Sequence, residues 1–302
     1  MNSLSVCVFG EVLYDHFPDG SRVLGGAPFN LAWHLQAFGL HPYVISRVGS
    51  DDAGKDIRAA MRRWGMDTRF LQTDQTRPTG MVNIVLENGE PHYDIVADCA
   101  YDYISETRME AEQSRVLYHG SLALRNQTSA QTFERLSAKQ QGIIFLDVNL
   151  RTPWWQREKV LSWMDNADWV KVNEKELKTL YAEKEPLETL APKVRERHGL
   201  KGLIVTSGAH GALAVTEASK PVRVAPQRSL KVVDTVGSGD AFAAVLVLGI
   251  VKGWPLAKTM IRAQSFASRL VACRGATVQN LAFYRSSTQQ WRMKDGPSEK
   301  SV

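Results

Sequence analysis

Cysteine is scarce in this chain of 302 residues: Cys7, Cys99 and Cys273 lie far apart, with no second Cys or His at a ligand spacing. That excludes a disulfide framework and a zinc site and points to reduced, buried thiols. No apolar run is long enough to cross a bilayer. The longest, 242–251, is about half of the roughly 20 residues that a spanning helix requires, so no membrane partner is expected. No basic flank precedes the first apolar stretch, which Glu11 interrupts, so no signal peptide is expected and a cytoplasmic address follows. Internal repeats, low-complexity segments and blocks of like charge are also missing. The formal charge is +5 and the pI about 9.1, but basic residues are interleaved with acids. This pattern argues against a nucleic-acid partner and suits an anionic small substrate equally well. The sequon Asn126-Gln127-Thr128 has no consequence without a secretion signal.

Hydrophobic residues at 44% and charged residues at 23% are ordinary globular values and leave room for one large domain or two modest ones. Short Val- and Ile-rich segments alternate with segments of helical period. Strands are expected at 5–10, 43–48, 116–119, 143–148, 169–172 and 202–206. Helices are expected at 28–38, 53–64, 129–140, 154–166, 175–182, 187–196, 239–252 and 256–272. This is the α/β pattern of a mostly parallel sheet with helices on both faces. Segments 11–25 and 79–97 break the alternation, and the second reads as a hairpin turning at Asn88-Gly89. They predict a small antiparallel β lid inserted in a domain over 1–285. Residues 286–302 are polar, lack periodicity and predict a frayed tail.

The most informative string is Asp234-Thr235-Val236-Gly237-Ser238-Gly239-Asp240, running straight into an apolar helix. Small residues let backbone approach a ligand, and the free N–H groups of a helix start attract anions, so Gly237, Ser238 and Gly239 read as an anion cradle. A carboxylate beside such a cradle repels phosphate unless it has a proton to accept. Asp240 is therefore either a general base or a first-turn Asp complementing the helix dipole.

With Ala241 and Phe242 appended, this string resembles the C-terminal signature of the PfkB, or ribokinase-like, carbohydrate kinases. Leu24-Gly25-Gly26-Ala27-Pro28-Phe29-Asn30-Leu31-Ala32 is similar to the sugar-binding segment of that family, and 48–54 resembles the segment that follows it. Asn173-Glu174-Lys175-Glu176 resembles its Asn-x-x-Glu motif, and Thr206-Ser207-Gly208-Ala209-His210-Gly211 its nucleotide loop. Asp147-Val148-Asn149-Leu150-Arg151 resembles a string of fructokinase-like members. Motifs in family order span about 10–276. The resemblance implies a three-layer ribokinase-like fold and an ATP-dependent sugar kinase, fructose first, with another sugar, a nucleoside or a catalytically silent sensor as alternatives.

Each motif has a physical reading. Gly25 and Gly26 offer backbone N–H groups beside a hydroxylated ring, and Asn30 either addresses sugar hydroxyls or caps a helix. Asp15, in a loop after the first strand, lies at the ligand edge of the sheet or is a solvated turn. By resemblance it grips two sugar hydroxyls. Asn173 and Glu176, three apart, either orient waters on magnesium or form a capping box. Arg151 clamps the transferring phosphoryl group or bridges to a carboxylate. Resemblance also implies nucleotide contacts from Asn173, Thr206, Ser207, Gly208, Gly211 and Gln264, and a monovalent cation such as potassium at Asp234 and the Val236 carbonyl. Departures from the pattern are Phe29, Val148 and Gln264. The Gly49-x-x-x-x-Gly54-Lys55 string is followed by Asp56 and contains Asp51 and Asp52, so it is no phosphate loop. The seven histidines read as core or surface groups, with His210 in the nucleotide loop, and Trp154-Trp155 as helix packing. Exposed lid edges predict a homodimer.

Overall fold

The computed structural model describes residues 6–87, 90–106, 114–226 and 232–293. The expected turn at Asn88-Gly89 lies outside them, as do residues 294–302 of the expected tail. Nine strands form the main sheet: β1 (Val6–Phe9), β4 (Tyr43–Gly49), β5 (Leu71–Asp74), β8 (Val116–His119), β9 (Ile143–Asp147), β10 (Trp169–Asn173), β11 (Gly202–Thr206), β12 (Ala212–Thr216) and β13 (Val222–Val224). Their spatial order is β13-β12-β11-β10-β9-β8-β1-β4-β5. Pairings from β11 through to β5 are parallel, and β12 and β13 add two antiparallel strands at the far edge.

Both faces of the sheet are covered, which is why its strands read as continuous apolar runs. Alternate residues of β1 go to opposite layers. Val6 and Val8 pack with α1 (Ala27–Ala37), α2 (Asp52–Arg63), α7 (Ser238–Lys252), α8 (Leu256–Leu270) and α9 (Leu281–Gln290). Cys7 and Phe9 pack toward α3 (Gln127–Ala138). The rest of that second face lies under α4 (Arg157–Asp165), α5 (Glu174–Tyr181) and α6 (Leu187–Arg197). Among the described residues no helix is long and apolar enough to cross a membrane.

The lid is a separate four-stranded sheet, β3 (Arg22–Gly25), β2 (Leu13–His16), β6 (Gly80–Glu87) and β7 (Glu90–Ile95), in that spatial order. Two antiparallel hairpins are joined by a parallel pairing of β2 with β6. Leu13, Val82 and Ile95 bury its base against the main core.

Three expectations are corrected. The helix expected at 154–166 begins at Arg157, because Trp154 ends the preceding turn and Trp155 follows it outside the helix; the Arg125 guanidinium lies 4.4 Å over the Trp154 ring. The boundary at 285 falls inside α9, whose Tyr284, Ser287 and Thr288 are buried, and Trp291 closes the core beyond it; the polar composition of this segment hid one buried face. Cys273 is half-buried, unlike Cys7 and Cys99. The rejected phosphate-loop string shapes the local backbone instead. Asp51 caps α2 by accepting from the Gly54 N–H at 2.8 Å, and it also accepts from Thr79.

Candidate active site

The site forms where the C-terminal ends of the parallel strands meet the starts of α1 and α7. Gly26, at φ 105°, precedes α1, and a Cβ there would lie 2.6 Å from the Glu11 carbonyl oxygen; only glycine lets the chain turn so close to the first strand. The turn puts Asn30 in the first turn of α1, where its Nδ2 donates to Asp240 Oδ2 at 2.8 Å in a buried contact. Asp240 lies in the first turn of α7, entered through Gly237 at φ 74°. The N–H groups of Gly239 and Asp240 have no acceptor within the helix there. Ser238 turns both its N–H, at 3.3 Å, and its hydroxyl, at 2.8 Å, to the Thr235 carbonyl.

Asp15 lies on β2 beside Gly25, where a Cβ would come 3.1 Å from Asp15 Oδ2. Burial lifts three carboxyls in this neighbourhood: Glu11 to about 7, Asp15 to about 6 and Asp240 to about 6. The positive charge of the exposed Arg151 acts in the opposite direction on all three.

Two residues not anticipated from the sequence complete this floor. Lys171, on β10, is buried in an ion pair with Asp147, its Nζ 2.8 and 2.9 Å from the two carboxylate oxygens, and Tyr118 donates to the same carboxylate at 3.1 Å. A Cβ on Gly239 would lie 3.4 Å from Lys171 Nζ, so this ammonium sits directly beneath the anion cradle. The available signal was a lysine inside an apolar central strand. Glu11 is the other: it is 4% exposed, and its Oε2 is sealed from solvent without a hydrogen-bond partner, as is Asn30 Oδ1. Buried polar atoms left open in this way cost free energy until a partner arrives.

Beyond α7 lies a cleft of about 660 Å³ lined by Thr206, Gly208, Gly211, Ser238, Gly239 and Gln264, all anticipated from the sequence. Gly211, at φ 89°, packs so closely on β13 that a Cβ would lie 1.9 Å from the Val224 carbonyl oxygen. Ser207 does not line this cleft. Its N–H closes the loop on the Gly211 carbonyl at 2.7 Å.

Asn173 and Glu176 form a capping box on α5. Asn173 Oδ1 accepts from the Glu176 N–H at 2.9 Å, and Glu176 Oε2 accepts from the Asn173 N–H at 3.0 Å. Glu176 Oε1 takes the Leu150 N–H at 2.8 Å, tying this helix start to the loop that carries Arg151. Each carboxylate oxygen keeps a second lone pair, so the pair still fits a hydrated cation. Among the described residues no group of three or more His, Cys, Asp or Glu could hold a bare metal ion. Asp234 accepts from the Val236 N–H at 2.9 Å through one oxygen and from the Gly275 N–H at 2.9 Å through the other, joining the loop before α7 to the one after α8.

Residues 4–282 match the model of the pfkB family carbohydrate kinases. A fructokinase of Klebsiella pneumoniae is 29% identical over 292 residues, covering 90% of this chain and 94% of that protein. A crystal structure of fructokinase with bound ATP from Xylella fastidiosa shares the fold at 20% identity. Its TM-score is 0.82, with 96% of this chain and 99% of that one covered. Fructokinase from Vibrio cholerae O395, in its fructose, ADP and calcium ion bound form, is 25% identical. Its TM-score is 0.78, with coverage of 94% and 99%.

Proposed function

The chain belongs to the pfkB family of carbohydrate kinases, and on that basis we propose that it transfers the γ-phosphoryl group of ATP to a hydroxyl of a sugar, fructose first. The observation that carries this reading is the start of α7. Gly239 lines the large cleft, while the adjacent Asp240 reaches the opposite way to Asn30. A nucleotide with its phosphates on that helix start and a sugar beside Asp15, Asn30 and Gly25 would meet at Asp240.

In the reaction, the acceptor hydroxyl oxygen forms the new bond to the γ-phosphorus as the bond to the β-bridging oxygen breaks. The hydroxyl proton passes to the Asp240 carboxylate, and ADP leaves. Because the transition state is loose, most of the acceleration comes from alignment and from charge stabilisation by the Gly239 and Asp240 amides, Arg151 and Lys171. Asn173 and Glu176 would hold magnesium through its waters, and magnesium supplies neutralisation of the phosphate charge. Asp234 and the Val236 carbonyl would hold a monovalent cation. The fructokinase relatives support fructose, as does the 147–151 string. Closure of the lid over the sugar would exclude water as a competing acceptor.

A coupled ADP-release assay tests this reading with fructose, ribose, tagatose, fructose 6-phosphate, 2-keto-3-deoxygluconate and nucleosides as acceptors. Asp240→Ala is run alongside. One preferred sugar is expected, with kcat lowered about 10²- to 10⁴-fold in the variant, the range for loss of a general base. Silence across the panel in protein that binds ATP would overturn it.

A further inference from the structure

Charge is distributed less evenly than the interleaving along the whole chain suggests. From 241 to 294 there are eight Lys or Arg and no Asp or Glu, so this one stretch exceeds the +5 excess of the chain and the remainder is net acidic. The fold gathers part of that stretch around a second cavity, of about 580 Å³, between β13, α8 and α9. Its polar lining is Arg223, Lys258, Arg262, Gln264, Ser265 and Gln290, with Trp291 at one wall and no carboxylate.

Arg262 is the unusual member. It is only 8% exposed, lies 4.0 Å over the Trp254 ring and 5.5 Å from that of Trp291, and donates through Nη2 to the Trp291 carbonyl at 3.0 Å. It makes no ion pair among the described residues. Guanidinium carries five donors, of which one reaches the Trp291 carbonyl, and the side chain lines the cavity. Lys258 is exposed at the rim and likewise makes no ion pair among the described residues, whereas Arg223 is paired with Glu188 outside the lining.

We propose that this cavity is a second, non-catalytic site for a small phosphate-bearing anion, held by the Arg262 fork and Lys258. A rigid guanidinium plane held by stacking on Trp254 suits two-point contact with phosphate oxygens. The concavity and volume suit a metabolite rather than the long surface of a macromolecule. Ala225 and Gln264 line both this cavity and the nucleotide cleft.

The ligand chemistry has two sources, free inorganic phosphate and a phosphate monoester. The test fills the nucleotide cleft with a non-hydrolysable ATP analogue at saturation and follows tryptophan fluorescence, for which Trp254 and Trp291 are reporters beside Arg262. Inorganic phosphate and fructose 1-phosphate are titrated separately against chloride at matched ionic strength. The expected result is a saturable change absent with chloride, weakened at least tenfold in Lys258→Ala and in Arg262→Gln. The KM for ATP without added phosphate should stay within twofold of wild type in Lys258→Ala. Equal binding of the two probes assigns the site to the phosphate group alone, and tenfold tighter binding of the monoester assigns it to a metabolite; both sustain the proposal. Lys258 is exposed, so its variant keeps the test valid if Arg262→Gln fails to fold. No saturable change beyond chloride, or identical titrations for wild type and Lys258→Ala, would overturn it.

Discussion

Burial, more than any partner, sets the chemistry of Asp240. Its carboxyl is lifted to about 6 because it is desolvated, and only the ionised form accepts a proton. The rate kcat/KM is therefore expected to climb as pH rises through about 6 and to level above it. In Asp240→Asn that limb should vanish with most of the rate, while the ATP KM stays close to wild type; a full acidic limb in the variant would assign the base elsewhere. Glu11 gives a prediction on stability. Its folded value of about 7 lies above its ordinary value of 4.5, so its contribution is fully present below about 4.5 and is lost as pH rises through about 7. Glu11→Gln should match wild type in Tm at pH 4 and exceed it by several degrees at pH 8, as differential scanning calorimetry would show. A gap constant with pH would mean that the carboxyl is not neutral in the fold.

Among the elements, the starts of α1, α5 and α7 carry the candidate site. Gly237 has φ 74°, and a Cβ there would lie 2.4 Å from that of Ala276. Gly237→Ala therefore meets both a left-handed backbone penalty, about 1–2 kcal/mol, and a collision that displaces the cradle. Tm should fall by several degrees and the ATP KM should rise at least tenfold; wild-type values for both would refute this account of the turn. The box on α5 separates two roles of one residue. Ser caps as well as Asn, so Asn173→Ser should keep Tm within about two degrees. If Asn173 also orients waters on magnesium, kcat at limiting magnesium should fall about tenfold in this variant. Unchanged magnesium dependence would leave the residue as a cap only.

The whole molecule is a nine-stranded sheet layered with helices and joined to a smaller, four-stranded sheet. Val23, Val85 and Tyr93 of the lid are 38%, 47% and 50% exposed, an unusual concentration of apolar side chains on four short strands with unpaired edges. The expected outcome is a homodimer through the lid. Sedimentation at micromolar concentration should give twice the monomer mass, and Val85→Lys with Tyr93→Lys should return the monomer. A monomer in the unmodified protein would remove this assignment.

Local pattern along the chain was enough for the alternation of strand and helix, the position of the lid and the start of α7, because periodicity and glycine-bounded helix starts involve only near neighbours. It also drew attention to Asp240, a carboxyl beside small residues at a helix start, whereas Asn30, Asp15 and Arg151 stood out through the family resemblance of the motifs around them. It left open whether Asn173 and Glu176 cap a helix, and hid the buried face of α9 and the roles of Glu11 and Lys171. Those depend on which groups lose water when distant segments meet: Lys171 becomes a neighbour of the cradle only when β10 passes under α7, and Glu11 is desolvated only when Gly26 closes over it. Desolvation is a property of the packed whole, and where it falls is fixed only once the chain has folded.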